Sequence, residues 1–262
     1  MTIAEIIDAI EAAAPPCLQE EWDNSGLQTG TRHAECTGVA VCVDVTDEVL
    51  DRAIAAGCNL VVSHHPLLFK GARRITPDER QGALIYKAIL NGVTVYSAHT
   101  SLDNAPAGVS HAMAEILAPG APRRVLVPQP GRTDCGTGVT VTLPRTVSGT
   151  ELAAMAAKAF SAGGARVSAG GSTRAINTVA LVGGSGGQFI ADAVKAGADA
   201  IVTSDVRYHD FLDLSPEIFI VDITHFDSEK CAEDILIHII LEKFPNFAPC
   251  IRGVETNPIN YL

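Results

Sequence analysis

Two histidines stand side by side in Asn59-Leu60-Val61-Val62-Ser63-His64-His65-Pro66, directly behind an apolar run. Neutral imidazole is the commonest protein metal ligand, and a strand tip splays neighbouring side chains to opposite sides. The pair could therefore reach two different ions. Two further strand-like runs end in comparable ligands. Val93-Thr94-Val95-Tyr96-Ser97 leads through Ala98 and His99 to Asp103, and Phe219-Ile220-Val221-Asp222-Ile223-Thr224 leads into His225-Phe226-Asp227-Ser228-Glu229. His225 and Glu229 are four apart, so one turn of helix brings them to one face. The resulting set is His64, His65, Asp103, His225 and Glu229. Three imidazoles and two carboxylates suit Zn, Mn, Fe or Co without any thiolate. Five groups serve two coordination spheres only if one carboxylate bridges. Glu229 is the natural bridge, and open positions remain for water. Two divalent ions there would attract anions and lower the pKa of a shared water toward ~7. A lone histidine is more simply a core or cap residue; ligands gathered at three strand ends point to metal.

These tips need strands behind them. Short β-branched runs at Val39–Val45, Leu60–Ser63, Val93–Ser97, Val139–Leu143, Val179–Val182, Ala200–Thr203 and Ile218–Ile223 alternate with helical patterns at Glu48–Ala56, Gln81–Leu90, Gly149–Ala159, Phe189–Ala196 and Ser228–Phe244. That alternation predicts an α/β fold with largely parallel sheets, in which ligands collect beyond the carboxyl ends of the strands. The chain also resembles itself at an offset of 140. Val39-Ala40-Val41 aligns with Val179-Ala180-Leu181, and Ala53, Ala56, Gly57 and Val62 align with Ala193, Ala196, Gly197 and Val202. Two unrelated strand-helix-strand units share such patterning, but the gapless register favours an internal duplication. In the second copy Ser204 and Asp205 replace His64 and His65. The expected architecture is two similar three-layer α/β domains, the second inserted into the first. Residues 1–125 and 224–262 would form the metal-site domain and 126–223 the related one. The Pro- and Gly-punctuated stretch Ala118–Arg145 reads as the crossing between them.

Bulk properties narrow the partners. The 262 residues are 47% hydrophobic, ample for a sizeable core, and the net charge is -11. An acidic surface repels nucleic acid, and no apolar stretch approaches the ~18–20 residues a transmembrane helix needs, so no membrane partner is expected. The seven cysteines are scattered without a CxxC pair, as in a reduced cytoplasmic protein rather than a disulfide scaffold. Thr2–Ala14 reads as an amphipathic helix, not a signal peptide.

Several stretches carry a family resemblance. They are Glu21-Trp22-Asp23-Asn24-Ser25-Gly26-Leu27, Ser63-His64-His65-Pro66-Leu67-Leu68-Phe69-Lys70, Ala98-His99-Thr100-Ser101-Leu102-Asp103, Val182-Gly183-Gly184-Ser185-Gly186-Gly187, Thr203-Ser204-Asp205-Val206-Arg207-Tyr208-His209 and His225-Phe226-Asp227-Ser228-Glu229. In this order the chain resembles the NIF-three-like family of dinuclear-metal proteins, commonly named GTP cyclohydrolase 1 type 2. The resemblance implies two metal ions on the same five residues, two related α/β domains and a ring-shaped homohexamer. Ser101 and Ser204 stand where the family often has Asn and Gly; neither is a ligand position.

The leading functional expectation is a metal-dependent hydrolase, resembling GTP cyclohydrolase 1 type 2. In it a metal-activated water attacks a nucleotide or phosphoester-like substrate. The alternative is a non-catalytic metal-binding adaptor or regulatory ring protein. Other residues carry two readings each. Lys70, Arg73 and Arg74 could clamp a phosphate or line a solvated loop. His99 and His209 could orient a ligand or simply hydrogen-bond locally. The Gly183–Gly187 run could cradle a phosphate, although a tight strand-to-helix turn is the simpler reading. Asp44 and Asp222 could brace ligand imidazoles or cap helices. Trp22 is expected in the core or in a subunit contact.

Overall fold

Ile3, Ile6, Ile7 and Ile10 recur at helical spacing, and in the computed structural model all four are buried on helix α1 (Ile3–Ala13). Thr2 closes a capping box: its hydroxyl accepts from the Glu5 N–H, and the Glu5 carboxylate accepts from the Thr2 N–H at 2.6 Å. The structure describes residues 1–260. After α1 come β1 (Gly26–Thr29), β2 (Val39–Cys42), α2 (Asp47–Ala55), β3 (Leu60–Ser63), α3 (Arg80–Leu90), β4 (Thr94–Ser97) and a short α4 (Thr100–Asp103). The chain continues through α5 (Val109–Leu117), β5 (Arg123–Pro128), β6 (Gly136–Ser148), α6 (Gly149–Ala159), β7 (Arg166–Val167) and β8 (Ala175–Ser185). Next are α7 (Ile190–Lys195), β9 (Ala200–Ser204), α8 (Tyr208–Leu214), β10 (Phe219–Asp222) and α9 (His225–Glu229). Helix α10 (Cys231–Lys243) and strand β11 (Cys250–Arg252) follow.

The fold is mixed α/β with two sheets, each in its own compact unit. The first unit comprises Met1–Ala105 and Ala232–Thr256; the second runs from Pro106 to Cys231 and takes in the stretch from Asn257. In chain order the second therefore lies between two parts of the first. Its limits differ from the expected 126–223, because α5 packs on β6 and β8 while α9 packs on β8 and β9.

In the first unit the strand order is β1-β4-β3-β2-β11, with β1 antiparallel to β4 and the remaining pairs parallel. Strands β2, β3 and β4 are buried along their whole length. Continuous apolar runs are what a sheet covered on both faces requires. One face packs Val49, Leu50 and Ala53 of α2 and Leu84, Ile85 and Ala88 of α3 against Ala40, Val61 and Val95. The second unit's sheet runs β5-β6-β8-β9-β10-β7. Only β8, β9 and β10 are parallel to one another; β5, β6 and β7 join antiparallel. The expectation of largely parallel sheets holds for the first unit and for half of the second. Strand β5 lies inside the stretch read as a crossing. Its half-exposed residues and terminal Pro128 give an edge strand without an apolar run.

The 140-residue offset carries through to strand register. Val39 pairs with Leu60 and Val179 with Ala200, each pair followed by two more in step. Helices α2 and α7 both stop at a left-handed glycine, Gly57 at φ 74° and Gly197 at φ 76°. The seven cysteines are thiols rather than disulfides, five of them buried. Among the described residues no helix is long and apolar enough to cross a membrane.

Candidate metal centre

Strand β3 ends at Ser63, yet the ladder with β2 continues for two residues. The His64 N–H donates to the Cys42 carbonyl at 2.9 Å and the His65 N–H to the Val43 carbonyl at 2.8 Å. Both imidazoles are thus set by backbone pairing, with ring centroids 5.1 Å apart and planes tilted by 41°. His64 is fully buried, and its Nδ1 lies 3.0 Å from the Ala98 carbonyl oxygen. A carbonyl only accepts, so Nδ1 carries the proton and Nε2 is presented as a ligand atom. His65 Nδ1 lies 2.9 Å from Asp44 Oδ1, which fixes the same tautomer. His99 Nδ1 lies 2.7 Å from Asp23 Oδ1. Ring nitrogens of His64, His65 and His99 come within 4.8 Å of one another. An imidazole whose other nitrogen is held by a carboxylate or carbonyl is the usual form of a metal-ligating histidine.

Asp103 ends α4, and its Oδ1 lies 3.6 Å from His64 Nε2. Two ligands on one tetrahedral ion at ~2.1 Å stand about 3.4 Å apart, so this spacing suits a shared cation. His99 stands at the N-cap of α4, but its side chain gives no cap. Asp23 supplies it instead: the Thr100 N–H donates to Asp23 Oδ2 at 3.1 Å and the Thr100 hydroxyl at 2.5 Å. Burial opposes the charge on Asp23, yet bonds from His99, Thr100 and Ser25 hold its carboxyl far below the usual range.

In the second unit Thr224 caps α9, its hydroxyl accepting from the Asp227 N–H. Asn257 Nδ2 ties the cap down, donating to Thr224 Oγ1 at 2.6 Å and to Asp227 Oδ2 at 2.9 Å. One helical turn then places His225 Nε2 2.9 Å from Glu229 Oε2, while His225 Nδ1 lies 2.7 Å from Asp205 Oδ2. Burial alone would depress the His225 pKa, but Asp205 and Glu229 outweigh it and raise it to about 10. A setting that stabilises an imidazolium so strongly also suits a divalent ion in the proton's place. Asp205 adopts φ 54°, a left-handed conformation that Asp tolerates at small cost, and this aims its carboxylate at His225. Gly184, at φ 62°, leaves room for Glu229: an added Cβ would stand 2.1 Å from Glu229 Oε1. Groups of His, Asp and Glu described in this chain could hold a metal ion, His64, His65 and His99 among them.

Comparison with known proteins places this architecture. The family model described as Duf34/NIF3, NGG1p interacting factor 3, matches residues 1–258. The chain belongs to the NIF3 family. A Clostridium acetobutylicum protein named GTP cyclohydrolase 1 type 2 homolog is 34% identical over 232 residues, spanning 87% of this chain and 85% of that protein. A Streptomyces coelicolor protein of the same name is 37% identical over 213 residues, covering 79% of this chain and 73% of its own. The crystal structure of a Bacillus cereus protein related to NIF3 superposes with TM-score 0.91 at 24% identity, covering 100% of this chain and 99% of its own. That likeness concerns the fold.

Within this NIF3-family chain, four other residues resolve differently from one another. Asp44 braces His65 as one of its two readings held, whereas Asp222 binds Arg166 and accepts from the Val206 N–H at 2.9 Å. The bracing partner of His225 is Asp205, which sequence reading passed over. Its signal was present: at the 140-residue offset it stands opposite His65. Asp23 was likewise only part of a motif. The Gly183 and Gly184 N–H groups donate to Ser110 Oγ and Ser228 Oγ, so the run is the packed end of β8 rather than a tight turn, and those two amides are not turned to a phosphate. Trp22 is 58% exposed and so does not sit in the core, because polar contacts of its neighbours place it. His209, Lys70, Arg73 and Arg74 are all exposed.

Proposed function

We propose that this chain is a divalent-metal-dependent hydrolase whose two ions are held by His64, His65, Asp103, His225 and Glu229, with Glu229 bridging. One observation carries the reading. All three of these imidazoles have Nδ1 on an oxygen acceptor, Ala98 O, Asp44 or Asp205, which leaves Nε2 as the nitrogen an ion would take. When bound, such ions supply Lewis acidity and acidify a coordinated water toward pH ~7. The chain's own part is to fix the donors: β3 sets His64 and His65, α4 sets Asp103, and capped α9 sets His225 and Glu229. The donor set is borderline in hardness and fits Zn, Fe, Mn or Co. The substrate class is an anionic nucleotide or phosphoester, in keeping with the cyclohydrolase name that the relatives carry. A homohexameric ring, tested by light scattering, completes the reading.

Elemental analysis of protein purified without chelator tests the centre, with about two ions per chain expected for a two-metal site. The chain carrying both His64→Ala and His65→Ala should lose most of this metal. Turnover of GTP and model phosphoesters by metal-loaded protein, abolished in Glu229→Ala, tests the chemistry. A second reading, a metal-binding adaptor, is favoured by the family's description as an interacting factor. Full metal occupancy without turnover under any of the four metals would select it.

A further inference from the structure

The five ligands leave an aromatic group unused. Trp22, the only tryptophan, is 58% exposed and Phe69 is 48% exposed. Their ring centroids lie 5.9 Å apart at an interplanar angle of 64°. His99 stands edge-on to both, at 5.9 Å from Trp22 and 6.0 Å from Phe69. It also lies 5.3 Å from the ring of His64 and 5.4 Å from that of His65. The aromatic set thus runs from solvent to the imidazole pair.

Apolar burial does not place these two rings; a polar scaffold does. Asp23, next to Trp22 and with no side-chain exposure, accepts from Ser25 Oγ at 2.8 Å and from Thr100 Oγ1 at 2.5 Å. Asn24 Nδ2 donates to the Leu68 carbonyl at 2.9 Å. Gln28 accepts from the Leu68 N–H at 3.1 Å and donates to the Asn24 carbonyl at 2.7 Å. The segments carrying Trp22 and Phe69 are therefore bonded to each other, and the exposed rings are preorganised. Lys70, Arg73 and Arg74 follow Phe69 on the same exposed segment, in a chain whose net charge is -11. Rigid rings beside local cations match a flat aromatic ring that carries an anionic group.

We propose that Trp22 and Phe69 form a stacking subsite for the planar heteroaromatic ring of an anionic, nucleotide-like substrate, with Lys70, Arg73 and Arg74 facing its phosphate. This deepens the hydrolase reading and rests on it for the fate of the bound molecule.

Trp22 reports on its own occupancy, since any tryptophan fluorescence of the chain is its own. Titration of the metal-loaded full chain with guanosine 5′-monophosphate should quench that emission saturably. Ribose 5-phosphate, which has the charge but no ring, should not. By calorimetry, Trp22→Ala and Phe69→Ala should each weaken nucleotide binding about 5- to 100-fold, with Trp22→Phe close to wild type. Replacing Lys70, Arg73 and Arg74 together by Ala should weaken the nucleotide but not guanosine. Metal content should stay unchanged in all of these variants. Equal quenching by ribose 5-phosphate, or unaltered affinity in Trp22→Ala, overturns the proposal. So does a change of oligomeric state in Trp22→Ala with affinity retained, which would make the rings a subunit contact. Quenching without bound metal would spare the subsite and sink the hydrolase reading; bound metal without quenching would do the reverse.

Discussion

His99 Nδ1 lies 2.7 Å from Asp23 Oδ1, and the Asp23 side chain is wholly shielded from solvent. That carboxylate joins two segments 76 positions apart, holding one imidazole and the start of the helix that ends in Asp103. Replacing Asp23 by Ala leaves His99, Ser25 and two donors of Thr100 without it. Stranded buried donors cost ~1–3 kcal/mol each before relaxation, so a net loss of roughly 2–4 kcal/mol is expected by urea denaturation. The pH dependence has a definite sign. The folded carboxyl titrates below its unfolded value of 3.8, so its contribution is present above that pH and is lost as pH falls below it. Asp23→Asn should remove this share of the acid sensitivity.

Asp44 and Asp205 act through His65 and His225, and both carboxylates are about half exposed. Their replacement by Ala should change stability by less than about 1 kcal/mol. Metal affinity, read by competition with a chelator, should fall about 10- to 100-fold in each, because ring orientation and basicity are lost. Equal metal affinity in both variants and wild type would show that neither aspartate positions a ligand.

Gly184→Ala isolates Glu229. The new Cβ would stand 2.1 Å from Glu229 Oε1 at a backbone φ of 62°, so the carboxylate must move. Left-handed strain costs about 1–2 kcal/mol, leaving the chain folded by circular dichroism. Metal content should nevertheless drop as in Glu229→Ala.

Glu233 gives the opposite pH signature to Asp23. Burial first, then the charge of Glu255, raises its pKa from 4.5 to about 7, against the pull of Arg252. The folded state therefore binds this proton more tightly than the unfolded chain. Stability falls as pH rises from about 4.5 to about 7 and is flat beyond, as far as this group is concerned. The span corresponds to at most about 3 kcal/mol. Thermal melts of Glu233→Gln between pH 5 and pH 8 should show a shallower decline than wild type.

Much of the candidate site was legible in one dimension. Leu60–Ser63 and Phe219–Asp222 are continuous apolar runs because both faces of each strand are covered, and such runs announce a strand without any partner in view. Ligand residue types at their ends, with four-residue spacing at His225 and Glu229, then follow from position along the chain. The short edge strands β1, β7 and β11 carried no such signal, since each has few residues and one unpaired side.

Sequence by itself determined the kinds of donor, the helical pairing of His225 with Glu229 and the α/β alternation, all of which are local. The tertiary structure alone decided which nitrogen each imidazole presents. That choice depends on an oxygen brought from elsewhere: Ala98 for His64, Asp44 for His65, Asp23 for His99 and Asp205 for His225. A hydrogen bond across 20 to 76 positions is fixed by strand register and by one left-handed backbone angle, and neither is written in residue spacing.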